Sequence, residues 1–368
     1  MQPHTPAADP TETPAGRSKS RGPYRREPRD TAPRQRRYRQ RQRRTRKRVT
    51  NPPETPTAFK TSLRDRLKAR AKSSGRPFNE LEREYLLQRF LARVFADPDS
   101  PWILKGGTGL LARLPGARHS QDIDLLHRTQ TLEAAADDLR RLAAIDAGDP
   151  FRFVLSDPVA MTGTVNGAQI RVTAYLGATQ FGRFPIDLST ELAFVAEVER
   201  HRPTPVIEVP DVAPLPEFTL YPLVDQVADK VCAMYERHGP QQIASTRFRD
   251  LVDLVLITRE FALDGDQLSE ALAQEARRRG LTLPIALVSP DSTWTAGYPK
   301  VARPTMVPKD LQSLANALET VARCIDPALA GQVAGHYWDP DNQEWTTGAA
   351  DHSRSHRTSA SSPPETAV

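Results

Sequence analysis

Asp122 and Asp124 stand one residue apart, with Ile123 between them and Leu125 after. On a strand, alternate side chains share a face. The spacing therefore puts both carboxylates on one side and turns Ile123 and Leu125 into the core. Two adjacent carboxylates repel unless a cation lies between them. Hard divalent ions such as Mg²⁺ take oxygen ligands and often keep phosphate oxygens in their shell. Upstream runs Leu104-Lys105-Gly106-Gly107-Thr108. Gly106 and Gly107 allow a sharp turn and a close approach to a ligand. A helix beginning near Thr108 would aim free N–H groups and its positive dipole end over the glycines, a place that suits phosphate. The stretch 104–125 thus offers a phosphate cradle and a metal seat close together. A further acid, Asp187, lies between Ile186 and Leu188. It is either the third acid of a metal site or the cap of a strand end.

The elements around these residues set their positions. Leu63, Leu67 and Ala71, then Phe78, Leu81, Tyr85, Leu86, Phe90, Leu91 and Phe95, give apolar stripes of helical period. Two helices therefore precede the motif. A strand over Trp102–Lys105 leads into the glycine turn. Residues 131–145 read as a helix, and Phe151–Leu155, Gln169–Leu176 and Arg183–Leu188 as strands, with Asn166-Gly167 as a turn. This order predicts an α/β (α+β) fold with a small mixed sheet. Glu208–Pro222 is Pro-rich and reads as a connector. A helical module follows: one helix with Leu223, Val227, Val231 and Met234 buried, ended by Gly239-Pro240; a second over Ser245–Leu256, capped by Ser245 or Thr246; and others over Gln267–Arg279 and Lys309–Cys324. Taken alone, Arg249, Asp250 and Asp253 read as ordinary surface ion pairs.

Composition bounds the function. The chain has 368 residues, 38% of them hydrophobic, and 33 prolines. Residues 1–57 hold 16 Lys and Arg against 5 Asp and Glu, a net +11, so the rest of the chain is net −5. This segment has too few apolar residues to repay ordering. Its run Arg34–Arg48 reads either as a salt-sensitive nucleic-acid tether or as an unselected extension. The expected organisation is a disordered basic tail (1–57), an α/β domain with two leading helices (58–210), a helical module (211–347) and a disordered tail (348–368). No stretch is long and apolar enough for a membrane span, and the N-terminus, with no apolar core after its charges, is not expected to be a secretory signal. Cys232 and Cys324 match no metal or redox spacing and are expected to be buried thiols in a reducing cytoplasm. His119 and His127 flank the acids without ligand spacing.

With these residues assembled, the chain resembles the DNA polymerase β-like nucleotidyltransferases, and more closely the AbiEii/AbiGii-type toxin family, from about Phe59 to at least Phe261. The resemblance rests on Leu104–Thr108 with Leu110, on Arg118, Ser120 and Asp122–Leu125, on Asp187, on Lys230, and on Arg249–Leu254. The chain departs from the family pattern in having Gly107 where some branches have Ser and Gly109 where Ala is usual.

The resemblance implies a polymerase β-like core that moves NMP from an NTP to a hydroxyl. Asp122, Asp124 and Asp187 would be metal ligands for Mg²⁺, two ions, with Mn²⁺ as a substitute. Gly106, Gly107 and Thr108 would hold the triphosphate through backbone N–H groups. Lys105, Lys230 and Arg249 would offset charge, with Asp250 positioning Lys230 or the base and Asp253 the less certain partner. Phosphorylation of Ser120 would set negative charge beside the metal seat and disfavour NTP. The implied acceptor is RNA, in some relatives the tRNA 3′ end. The implied role is that of a toxin neutralised by an antitoxin, in growth arrest or phage defence (abortive infection). Two other readings remain: transfer to a protein or small-molecule hydroxyl, and a non-catalytic nucleic-acid binder acting through the basic tail.

Overall fold

The computed structural model describes residues 55–128, 131–161, 167–210 and 212–347. The basic tail as far as residue 54, Asn166 of the expected turn, and the tail from residue 348 lie outside the described residues.

Helix α1 (Pro56–Ser74) starts where its sequence says it should. Thr55 accepts the Ala58 N–H on its hydroxyl, Pro56 opens the first turn, and Gly75 closes the helix at φ 70°. It buries Phe59, Leu63 and Leu67. Helix α2 (Phe78–Val94) follows and is buried along most of its length. Strand β1 (Trp102–Lys105) runs directly into helix α3 (Gly106–Arg113), and β2 (Ile123–His127) returns antiparallel to β1. Helix α4 (Leu132–Ala143), capped by Thr131, leads to β3 (Phe151–Leu155), the short β4 (Val159–Ala160), β5 (Gly167–Leu176) and β6 (Thr179–Thr190).

With β7 (Glu199–His201) and β8 (Phe218–Leu220), the main sheet has the order β3-β5-β6-β2-β1-β8-β7, with β4 also on β5. It is mixed, as expected. β2 runs parallel to β6 and β1 parallel to β8 (Phe218–Leu220), while the other pairs are antiparallel. It also reaches further than the sequence suggests. The Pro-rich stretch read as a connector contains β8, which pairs with β7 (Glu199–His201) and with β1.

Helix α5 (Leu223–Tyr235) ends before Gly239-Pro240; those residues lie between β9 (Arg237–His238) and β10 (Ile243–Ala244), an antiparallel pair. Helix α6 (Phe248–Glu260) begins later than expected, with neither Ser245 nor Thr246 as its cap; the Ser245 hydroxyl accepts from the Arg247 N–H instead. Beyond it lie β11 (Leu263–Asp264), α7 (Gly265–Arg279), α8 (Trp294–Ala302), a 3₁₀ turn over Lys309–Gln312, α9 (Leu314–Leu329), β12 (His336–Asp339) and β13 (Glu344–Thr347).

Two hydrophobic cores hold these layers. One packs α1, α2 and α4 on the sheet through Leu63, Leu67, Phe90, Leu139, Ile170 and Ile186. The other joins Leu110 of α3 to α5, α6, α7, α8 and α9 through Val227, Leu251, Leu268, Trp294 and Ile325. Helix α3 thus stands between the sheet and the helices. Cys232 and Cys324 are both free and buried. No helix among the described residues is long and apolar enough to cross a membrane.

Candidate active site

The glycine turn begins the helix two residues earlier than the sequence suggests, at Gly106 rather than near Thr108. The N–H groups of Gly106, Gly107 and Thr108 therefore belong to the first turn, where no intrahelical acceptor exists. Gly106 adopts φ +62°, and a Cβ there would stand 1.9 Å from Asp124 Oδ2. Only glycine lets the backbone lie against that carboxylate. A Cβ at Gly107 would meet Ser120 Oγ at 3.0 Å and the Arg118 guanidinium at 3.3 Å. The turn is fixed from both sides. Gln226 Nε2 donates to the Gly106 carbonyl at 3.0 Å, and Thr108 Oγ1 donates to the Asp122 carbonyl at 2.6 Å. Thr108 is 6% exposed, so its side chain braces the turn rather than facing a ligand.

The acids come together through sheet register. Asp124 pairs across β1 with Lys105 and across β6 with Asp187, while Ile123 and Leu125 are fully buried on the opposite face. Asp122 immediately precedes β2 and accepts from Ser120 Oγ at 2.7 Å. Asp187 accepts from Gln169 Nε2 at 3.0 Å. Burial first, then the charges of Asp122 and Asp187, push the Asp124 carboxyl up to about 7 against the pull of Lys105 and Lys230. Asp187 is also raised, by burial and then by Asp122, with the Gln169 hydrogen bond opposing.

A donor set of this kind fits a divalent cation, which would relieve the crowding that now favours protonation. As the side chains stand, no three carboxyl, imidazole or thiol groups among the described residues converge on one ion position. Two of the three acids are turned to neutral donors, Ser120 and Gln169.

Lys230, on α5, is 3% exposed and donates to Asp253 Oδ2 at 2.6 Å and to Asp250 Oδ1 at 3.1 Å. Burial opposes its charge, but Asp253 and Asp250 outweigh it and raise its pKa, so it is an ammonium ion. Asp253 also takes a two-pronged bond from Arg118, at 2.7 and 2.8 Å. Asp250 takes Arg247 at 2.5 Å. The acid read as the less certain partner of Lys230, Asp253, thus makes the shorter contact.

Other expectations are met in part. Lys105 Nζ lies 4.8 Å over the Tyr221 ring and its charge reaches Asp124. Arg249 is exposed and stands apart from the Lys230 pairings, where Arg247 is found instead. Ser120 is 2% exposed with its hydroxyl given to Asp122, so it is not presented for phosphorylation. His127 packs edge-on to Trp102, 4.7 Å between ring centres. Sequence reasoning assigned no role to Arg118, Arg247 or Gln226. Arg118 carried a signal as part of the motif around the acids, and Arg247 one in its spacing of three residues from Asp250; Gln226 carried none, since it acts on Gly106, 120 residues away.

Comparison with known proteins bears on this site. A search of curated proteins returned no match. Among solved structures the chain is similar to JHP933 from Helicobacter pylori, at 16% identity and TM-score 0.40, covering 69% of this chain and 94% of that one. It is also similar to MenT4, a nucleotidyltransferase toxin from Mycobacterium tuberculosis H37Rv, at 16% identity and TM-score 0.45, covering 73% and 98%. The family model described as "Nucleotidyl transferase AbiEii toxin, Type IV TA system" matches residues 89–321. That span contains the glycine turn, Asp122, Asp124, Asp187, Lys230, Asp250 and Asp253, and the chain belongs to the AbiEii family of nucleotidyltransferase toxins.

Proposed function

We propose that this nucleotidyltransferase moves NMP from an NTP to the 3′-hydroxyl of an RNA, with tRNA as the acceptor, and that Asp122, Asp124 and Asp187 hold the Mg²⁺ on which transfer depends. Mn²⁺ has the ligand preferences to substitute. The observation that carries this reading is the register of Asp124 beside Asp187, with the Gly106 backbone against Asp124.

In the proposed reaction the acceptor oxygen attacks the α-phosphorus, the bond to the β-phosphate oxygen breaks, and pyrophosphate leaves. Bound metal would supply charge neutralisation and an acidified hydroxyl. The first-turn N–H groups of Gly106, Gly107 and Thr108 receive the β- and γ-phosphates. Lys105 and Lys230 offset their charge, and Asp250 and Asp253 hold Lys230 in place. Asp187, raised by burial, is suited to take the hydroxyl proton. The biological role is that of a toxin whose partner is a cognate antitoxin, acting in growth arrest or phage defence.

The test is transfer of label from each of four α-³²P NTPs to total RNA with Mg²⁺, comparing wild type with Asp122→Ala. The variant is expected to lose at least about a thousandfold in rate, equivalent to several kcal/mol of transition-state stabilisation. Label on a tRNA-sized band that disappears in the variant supports the reading. A folded wild type that labels no RNA sinks the RNA acceptor.

A further inference from the structure

One row of the main sheet runs through the whole site. Lys105 on β1, Asp124 on β2, Asp187 on β6 and Gln169 on β5 are neighbours in register, with Val159 of β4 beyond them. The glycine turn stands at the β1 end of this row, because β1 runs directly into α3. At the other end the sheet has one covered face and one open face. Ile170, Val172 and Ala174 on β5 and Phe184 and Ile186 on β6 are buried in the core shared with α1, α2 and α4. The residues between them share the opposite face with Asp187: Gln169, Arg171, Thr173 and Tyr175 on β5, Pro185 and Arg183 on β6.

The open face is basic and leads away from the acids. Arg171 pairs with Pro185, one row from Asp187, and Arg183 pairs with Thr173, one row further. At the rise of a strand these rows are about 7 and about 13 Å from Asp187. In the next row Arg152 of β3 lies opposite Tyr175, its guanidinium 4.5 Å over the ring. Arg152, Arg171 and Arg183 are exposed, and none makes an ion pair among the described residues. Strands β3 to β6 contain no Asp or Glu except Asp187. The first acid after β3, Asp157, is taken by Arg140 of α4 at 2.9 Å. Guanidinium groups that no acid answers, set at intervals along an open sheet face, fit a chain of phosphates.

We propose that the open face of β5 and β6 is the track for the acceptor RNA: Arg171 and Arg183 bind backbone phosphates behind the 3′ end, whose hydroxyl lies at Asp187, and Arg152 holds the outer end of the track. The proposal rests on the RNA-acceptor reading. It gives these arginines to the acceptor because the triphosphate has its cradle on the β1 side of the acids. Triphosphate and acceptor then approach from opposite ends of one row, with Asp124 and Asp187 between them.

The test uses the full chain with bulk tRNA as probe and the NTP that labels it. In Arg171→Gln/Arg183→Gln the KM for tRNA is expected to rise roughly tenfold at moderate salt, with the KM for NTP unchanged. The slope of log KM against log salt is expected to fall by about 0.7 for each lost single-strand contact. Arg171→Lys/Arg183→Lys, which keeps the charge, is expected to retain most of the affinity. Arg66→Gln/Arg70→Gln removes the same charge from α1, on the covered side of the sheet, and is expected to leave the tRNA KM within about twofold of wild type. An unchanged tRNA KM in Arg171→Gln/Arg183→Gln, an NTP KM that rises equally, or an equal rise in the α1 variant overturns the proposal while leaving RNA transfer intact. Inhibition by poly-glutamate that is lost in Arg171→Gln/Arg183→Gln at an unchanged tRNA KM overturns it too, and gives the face to an acidic polypeptide. A wild type that labels no RNA removes the acceptor reading itself, before any variant is made, and this proposal with it.

Discussion

Asp149 and Asp253 are both fully buried carboxylates held by arginine, yet their surroundings differ. Asp149 lies between Arg89 and Arg93, at 2.8 Å from each. Four more bonds from these guanidinium groups go to the carbonyls of Ala213, Ala147, Arg89 and Phe151, while the buried Arg93 Nε has no partner among the described residues; Arg93 also covers the Phe153 ring at 4.8 Å. This cluster has a surplus cation that backbone oxygens absorb, and it ties α2 to the segment before β3. Asp253 also belongs to a cluster with a surplus cation, formed by Lys230, Arg118 and Arg247 with Asp250 and Asp253. Among the described residues no backbone carbonyl accepts from Lys230, and its charge reaches Asp124. Buried ion pairs of the same chemistry thus serve as a clamp where carbonyls complete them and as a charge source where a carboxylate edge faces them.

The largest expected effect separates clamp from source. Asp149→Asn leaves two buried guanidinium groups without their acid and is expected to cost about 3–5 kcal/mol of stability. The folded protein that remains is expected to transfer nucleotide normally; calorimetry and an activity assay below the melting point check this. Loss of transfer in folded Asp149→Asn would erase the distinction. Next comes Lys230→Met. Asp253 keeps Arg118 and Asp250 keeps Arg247, so the melting loss is expected to be smaller than for Asp149→Asn. Transfer is expected to fall about a hundredfold to a thousandfold. A Lys230→Met protein that melts as low as Asp149→Asn yet transfers at the wild-type rate would make the site cluster a second clamp.

The smallest effect is in pH. Burial raises Asp149, but Arg93 and Arg89 outweigh it and hold it below the ordinary carboxylate range. Its contribution is complete above the unfolded value near 4 and is lost as pH falls through the lower folded value. The melting temperature of wild type is therefore expected to drop more steeply below about pH 4 than that of Asp149→Asn. Parallel curves would show that the clamp does not titrate.

Much of the fold was legible because it is written locally. Period-2 spacing located Asp122, Ile123, Asp124 and Leu125, and the Trp102–Lys105 strand has the expected bounds. Helix α1 carries its cap, proline and stop glycine in sequence. The misses share a cause. Strand β8 is three residues in a Pro-rich stretch and exists because it finds β1, more than a hundred residues earlier. Arg118 and Asp253, 135 residues apart, are joined only by the packing of α6 near the motif loop. The helix α8 holds Gly297 and Pro299, which hide its period, and it packs Gly297 on the Phe248 ring while Tyr298 donates to the Leu311 carbonyl, contacts that the segment itself does not announce. At the site, the acids and glycines could be read from type and spacing, whereas the hands that orient them, Gln226 and Gln169, could not.

The approach of Gly106 to Asp124 also has a genetic consequence. Every missense change of a glycine codon adds a Cβ, and at this position the Cβ would stand inside the Asp124 carboxylate in a backbone conformation that other residues avoid. The position has no tolerant substitutions to drift through. In a population of cells selected to survive this toxin, the Gly106 codon is therefore expected to be a target, since any replacement must displace the Asp124 carboxylate or the turn.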